Sequence, residues 1–296
     1  MANTFTDRLL SGEILISDGA TGTNLQARGL PPGISPETWL FERPEAILNL
    51  HEEFVAAGSD VILTCSFGGN RFRQQGTPLA DRIEEINRTA ATLAREAARN
   101  SGRSVLVGGS MGPTGHMVEP YGTLKPEEVT EAFAEQASAL AEGGVDLLVL
   151  ETFFALEELE AAIAGVKSAT DLPFVCSFSY DRGTRTMMGI RPAQMASRAA
   201  ELGASAVGAN CGTTLENMEQ IVLELASGSF GLPIWAKPNA GQPVGNPPTY
   251  RITPEDVGAF AVRLREAGAR IIGGCCGTTP DHVRAIARSI KNGVTT

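Results

Sequence analysis

Short apolar runs recur along this chain at nearly even intervals, and each is followed by a segment with helical periodicity. The runs are Ile14–Ser17, Asp60–Ser66, Val105–Gly109, Asp146–Leu150, Phe174–Ser179, Ala206–Ala209, Ile234–Lys237 and Arg270–Gly273. They are rich in Val, Ile, Leu and Phe without strict polar alternation, as expected of parallel strands buried on both faces. Apolar positions three and four apart predict helices over Pro44–Ala57, Leu79–Asn100, Lys125–Gly143, Leu156–Ala169, Pro192–Leu202, Leu215–Ser227 and Pro254–Ala267, and from Pro280 towards Ile290. Pro44, Pro126, Pro254 and Pro280 suit a first helical turn, with Thr253 and Thr279 placed as N-caps. Gly58, Gly143-Gly144, Gly203 and Gly268 suit the helix ends.

Eight strand-then-helix units predict an α/β fold, a (β/α)8 barrel forming one domain over residues 1–296. An open doubly wound sheet is the runner-up. Its dinucleotide fingerprint is missing, because the first strand runs into Asp18-Gly19-Ala20-Thr21-Gly22-Thr23 rather than GxGxxG. No linker, repeat or low-complexity segment divides the chain. The longest irregular stretches, Gly19–Trp39, Phe67–Pro78, Met111–Leu124 and Ala240–Tyr250, all follow strands, which is the face where barrels carry function.

Composition narrows the partners. The formal charge is −10, with no basic run, which argues against nucleic acid and anionic membranes. No apolar run reaches the ~18 residues of a membrane span, and the first ten residues lack a signal-peptide pattern, so a cytoplasmic protein is expected. The chain holds 5 cysteines, an odd number without regular spacing, which makes a disulfide scaffold improbable.

The candidate chemistry lies in Gly273-Gly274-Cys275-Cys276-Gly277-Thr278 and in Gly208-Ala209-Asn210-Cys211-Gly212, each just after an apolar run. Neighbouring side chains on a strand point to opposite faces, so both sulfurs of Cys275 and Cys276 can serve one centre only if the backbone bends. Glycines on both sides permit that bend. Three thiolates from two strand ends would form a three-coordinate zinc site with one open position. Free cysteine is also a common core residue, the natural reading of Cys176, and a strained vicinal disulfide is a further possibility. Read from the residues alone, metal and packing stand level. His51, His116 and His282 do not end strands, which disfavours a zinc hydrolase. Asp18 and Glu151 do end strands, one as a possible helix cap, both as possible substrate contacts.

Together these marks resemble the homocysteine S-methyltransferase family, from about Gly12 to Ile290. The resemblance rests on Asp18-Gly19-Ala20, Gly108-Gly109-Ser110 with Gly112-Pro113, Glu151-Thr152, Gly208 to Cys211, Pro238-Asn239-Ala240-Gly241 and Gly273 to Gly277. It implies a (β/α)8 barrel, zinc held by Cys211, Cys275 and Cys276, and an acceptor thiol deprotonated at the metal. It also implies that Asp18 and Glu151 hold the homocysteine ammonium, while backbone N–H groups near Gly19 and Ala20 take the carboxylate. Asn239 would fill the fourth zinc position while substrate is absent, or brace its turn. Asn210 would position the Cys211 loop, and Cys65 is a rim residue without an assigned role.

The methyl donor is less determined. Betaine enzymes of the family carry tyrosines where this chain has a glycine in Ser66-Phe67-Gly68-Gly69-Asn70 and Thr152 in Glu151-Thr152-Phe153. Betaine is therefore disfavoured, although Phe67, Phe153 and Tyr121 could form a different cage. Ser66 to Arg73 is similar to the methionine-synthase branch, which implies a methylcorrinoid or folate donor on a separate protein. S-methylmethionine or another onium donor is the alternative. Two readings of another class remain: a non-catalytic zinc- and thiol-binding subunit, and a thiol-redox protein using Cys275-Cys276.

Overall fold

A computed structural model describes residues 4–212, 214–245 and 249–291. The strands are β1 (Leu15–Ile16), β2 (Val61–Leu63), β3 (Leu106–Met111), β4 (Leu147–Phe153), β5 (Phe174–Phe178), β6 (Ala206–Cys211), β7 (Ile234–Pro238) and β8 (Ala269–Ile272). All pair in parallel, in the order β1-β8-β7-β6-β5-β4-β3-β2. The two ends of that row meet through a bridge between Ser17 and Val61. Two buried aspartates complete the seam: Ile16 N donates to Asp60 Oδ2 at 3.0 Å and Leu63 N donates to Asp18 Oδ2 at 2.7 Å. The sheet is thus a (β/α)8 barrel in a single domain.

The α-helices in chain order are α1 (Phe5–Leu10), α2 (Thr21–Ala27), α3 (Trp39–Glu42), α4 (Pro44–Ala57), α5 (Arg71–Gln74), α6 (Ile83–Asn100), α7 (Pro126–Glu142), α8 (Leu156–Ala169), α9 (Pro192–Glu201), α10 (Leu215–Gly228), α11 (Pro254–Glu266) and α12 (Pro280–Lys291). The eight predicted helices are all present, with α6 starting four residues after the expected Leu79. Proline opens α4, α7, α9, α11 and α12. Thr253 caps α11 by accepting from Asp256 N. The short α2 and α5 fall inside the expected irregular stretches Gly19–Trp39 and Phe67–Pro78, being too brief for periodicity to show.

Side-chain alternation sorts the core into two layers. One cluster takes Leu15, Val61, Leu63, Leu106, Leu147, Val149, Val175, Ala206, Trp235 and Ile271, all from strands or their pairs, with Phe5 of α1. These fill the barrel interior, and α1 plugs the end where the strands begin. The other cluster takes the alternate strand positions, such as Ile62, Val107, Leu148, Cys176 and Val207, with the inner faces of the helices. Cys176 is fully buried there as a packing residue. Among the described residues no helix is long and apolar enough to cross a membrane.

Candidate active site

Follow the inward positions of the barrel towards the strands' carboxyl ends and they turn polar. In step with Leu106 comes Ser110, with Val149 comes Glu151, with Val175 comes Ser177, with Ala206 comes Asn210, and with Trp235 comes Lys237. Above this layer opens a cavity of about 550 Å³. Its walls include Gly19, Ala20, Glu151, Lys237 and all three candidate sulfurs.

The cysteines converge. Cys211 Sγ lies 3.0 Å from Cys275 Sγ and 4.0 Å from Cys276 Sγ. The three sulfurs all fall within 4.8 Å of one another. Sulfurs about 2.3 Å from one tetrahedral zinc sit about 3.8 Å apart, so the observed spacing brackets what the ion requires. The five cysteines are free thiols, which removes the vicinal disulfide.

The local backbone explains the convergence. Thr278 N donates to Cys275 O at 3.0 Å, closing a turn with Cys276 and Gly277 at its centre. Gly277 has φ +79°, the left-handed value that the third position of a type II turn demands. A Cβ there would stand 2.1 Å from Tyr250 Cγ. The turn is also tied to the loop after β7, since Cys275 N donates to Pro238 O at 2.8 Å and Ala240 N donates to Cys276 O at 2.9 Å. On β6, Cys211 adopts φ +57°, as does Thr152 opposite it at φ +68°. Asn210, next to Cys211, ties β6 to β4 and β5: Oδ1 accepts from Thr152 N at 2.9 Å and from Ser177 Oγ at 2.7 Å. Non-glycine residues at positive φ store strain, and its concentration here marks a functional site.

Without an ion the cluster resists holding three negative charges. Hydrogen bonding from the other two sulfurs pushes the Cys211 thiol up and holds Cys276 down as the acceptor. Asn239 follows β7 between the two cysteine strands. Its Nδ2 donates to Gly212 O at 3.3 Å, while its buried Oδ1 has no partner. A buried oxygen left without a partner is costly, and an unmet ligand is one way to satisfy it.

Asp18 and Glu151 are brought together, but by a residue that the sequence reading passed over. Lys237 Nζ lies 3.2 Å from Asp18 Oδ1 and 3.9 Å from Glu151 Oε2. Burial would pull this ammonium down, yet the charges of Asp18 and Glu151 outweigh it and keep it charged. Burial pushes the Glu151 carboxyl up, opposed by Lys237. Glu151 Oε1 accepts from Ser110 Oγ at 2.5 Å. Asp18 is 1% exposed, is committed to Leu63 N, Ser17 Oγ and Lys237, and does not line the cavity. Ala20 N is likewise spent, on Thr278 O at 3.2 Å. A lysine in the otherwise apolar run Ile234–Lys237 was the available signal.

The alternative aromatic cage does not assemble. Phe67 lines the cavity, but Phe153 is fully buried against Phe133 with ring centroids 5.7 Å apart, and Tyr121 is exposed away from the cavity. Phe153 sits two places beyond Glu151 but past the shift in β4 pairing between Leu150 and Phe153, which turns it to the helices. Cys65 lines the cavity and its thiol is pushed up by burial. His282 serves the fold, with Nδ1 accepting from Thr279 N at 3.1 Å and Nε2 donating to Ile252 O at 3.0 Å.

Known proteins are similar to this chain in sequence and in fold. Methionine synthase of Mycobacterium tuberculosis (strain ATCC 25618 / H37Rv) is 30% identical over 305 aligned positions, covering 96% of this chain and 25% of that protein. Methionine synthase of Mycobacterium leprae (strain TN) is also 30% identical, over 95% of this chain and 24% of its own length. The chain therefore spans about a quarter of the length of these relatives. The metallated homocysteine methyltransferase MmuM from Escherichia coli superposes with a TM-score of 0.80 at 26% identity, over 95% of this chain and 99% of that one. The sequence profile described as homocysteine S-methyltransferase matches residues 15–290, nearly the whole barrel with its cysteine strands, and the chain belongs to that family.

Proposed function

We propose that this chain transfers a methyl group to the sulfur of homocysteine, with zinc held by Cys211, Cys275 and Cys276 and the methyl supplied by a methylcorrinoid or folate donor. The observation that carries the reading is the convergence of three sulfurs at the floor of the cavity. Such a donor set is soft and thiolate-rich, which selects zinc over harder cations. Bound there, zinc would supply the Lewis acidity that keeps an incoming thiol deprotonated at neutral pH.

The chain's own residues do the rest. The type II turn at Cys275–Thr278 and the strained Cys211 aim the sulfurs at one point, and Asn210 fixes both strand ends. Asn239 Oδ1, buried and without a partner, would be a further ligand to that zinc. Glu151 receives the substrate ammonium on its free oxygen. The acceptor sulfur then attacks the methyl carbon, forming the S–C bond as the donor's bond to methyl breaks and keeps its electron pair. The cavity offers Phe67 as its aromatic wall and no assembled cage among the described residues, which supports a donor other than a quaternary ammonium. The likeness to MmuM supports a second reading, a methyltransferase using S-methylmethionine.

Metal analysis of the purified, reduced protein should find about one zinc per chain. Methyl transfer to homocysteine is then compared with methylcobalamin, methyltetrahydrofolate, S-methylmethionine and betaine. Transfer from methylcobalamin or the folate supports the first reading, and transfer from S-methylmethionine the second. Homocysteine binding without turnover by any donor would leave a non-catalytic subunit, and absence of zinc after metal loading would end the argument.

A further inference from the structure

A centre of three protein thiolates and an incoming thiolate would present several sulfurs of like chemistry to one methyl donor, and thiolate sulfur is a nucleophile in each. Something must direct the methyl to the substrate's sulfur rather than to a cysteine. Asn210 offers the means. It is 1% exposed, on β6 beside Cys211. Its amide orientation is fixed, because Oδ1 accepts from Thr152 N at 2.9 Å and a backbone N–H can only donate. The Ser177 hydroxyl donates to the same oxygen at 2.7 Å. Nδ2 is thereby turned to the sulfurs, 2.7 Å from Thr152 Oγ1, 3.7 Å from Cys211 Sγ and 3.9 Å from Cys275 Sγ. Both of its N–H groups have acceptors there, so neither is left for a substrate sulfur. The third sulfur, Cys276, has another donor: a Cβ at Gly277 would meet the Tyr250 ring, and the Tyr250 hydroxyl hydrogen-bonds Cys276.

We propose that Asn210 is a positioning residue that decides which sulfur is methylated, its amide lowering the nucleophilicity of Cys211 and Cys275 so that the acceptor thiolate reacts instead; this rests on the reading that the triplet holds zinc and that a thiol is the acceptor. A hydrogen bond to a thiolate is charge-assisted and draws electron density from sulfur. It weakens as that sulfur gives a lone pair to carbon, so it raises the barrier to alkylating the sulfur that accepts it. Productive transfer forms the bond from acceptor sulfur to methyl carbon as the donor's bond to methyl breaks, with the electron pair left on the donor. Misdirected transfer makes the same exchange at a cysteine and leaves S-methylcysteine, a neutral thioether that no longer serves as a thiolate ligand. Thr152 and Cys211, on either side of this amide, both hold positive φ, and backbone strain of that kind persists where it serves a site.

The test needs neither homocysteine nor a natural methyl donor. Reduced, zinc-loaded protein is treated with iodomethane, and methyl adducts are mapped by peptide mass spectrometry. Cobalt(II)-loaded protein reports electron density on sulfur through its thiolate-to-cobalt charge-transfer band. Asn210→Asp keeps an oxygen for Thr152 N and Ser177 Oγ but removes the N–H donors. It should speed methylation of Cys211 and Cys275 by roughly 10-fold, leave Cys276 within about threefold, and move the band to lower energy. Asn210→Ala, which removes the donor without adding charge, should do the same and carries the test if the aspartate variant does not fold or load metal. Ser177→Ala loosens the amide but keeps its N–H groups, and should change neither readout. Unchanged methylation of Cys211 and Cys275 in the Asn210 variants, an equal rise at all three cysteines, or the same response to Ser177→Ala would overturn the proposal and leave the methyltransferase reading standing. Wild-type protein that binds neither metal would overturn both.

Discussion

Replacing His51 by leucine isolates one liability of this fold to acid. His51 sits on α4, is 1% exposed, and neither ring nitrogen has a hydrogen-bond partner. Burial lowers its pKa from 6.5 to about 4, against a smaller opposing effect of the Asp18 charge. Below pH 6.5 the unfolded chain binds a proton at this residue that the folded chain refuses, so stability falls as pH drops and levels off once the folded group also titrates. At about 1.4 kcal/mol per unit, the gap amounts to about 3 kcal/mol lost between pH 6.5 and 4. Two orphaned nitrogens are also costly in the neutral state, so His51→Leu should be neutral or stabilising at pH 7.5. Urea unfolding of metal-free, reduced protein at pH 7.5, 5.5 and 4.5 measures both effects. The wild type should lose about 2.5 kcal/mol more than the variant over this range. Parallel pH dependence in the two proteins would show that His51 does not carry the acid sensitivity.

Other consequences follow from the cysteine turn and its surroundings. Gly277→Ala forces a left-handed alanine and a Cβ 2.1 Å from Tyr250 Cγ, so zinc should be lost and stability should fall by more than the 1–2 kcal/mol of the backbone cost alone. Gly144→Ala, at φ +88° with nothing within 4 Å, should show only that backbone cost and full zinc content by metal analysis. Asn239→Ala should weaken zinc by roughly 10-fold when homocysteine is absent and far less when it is present, read by competition with a chromogenic chelator. Tyr180, buried with an unpartnered hydroxyl, should tolerate Tyr180→Phe with unchanged or raised stability in thermal unfolding.

The barrel was legible because its period is local. Eight apolar runs and eight helical segments can be counted along the chain, and proline and glycine mark their ends by backbone sterics alone. The cysteine triplet was partly legible too. Glycines around Cys275 and Cys276 announce a turn, although only the tertiary structure shows that turn reaching Cys211 across the neighbouring β7. What strand parity could not supply was the state of each charged group. Asp18 and Glu151 end strands as expected, yet one is sealed into the β1–β2 seam and the other opens on the cavity. Lys237 looked like the end of an apolar strand until its inward position set it between them. Phe153 failed as a cage residue because a shift in register, invisible in the local pattern, turned it to the helices. Sequence determines which way a side chain points relative to its own strand. Which partners have already claimed its hydrogen bonds is decided by residues hundreds of positions away, and that decides whether a charge can serve a substrate.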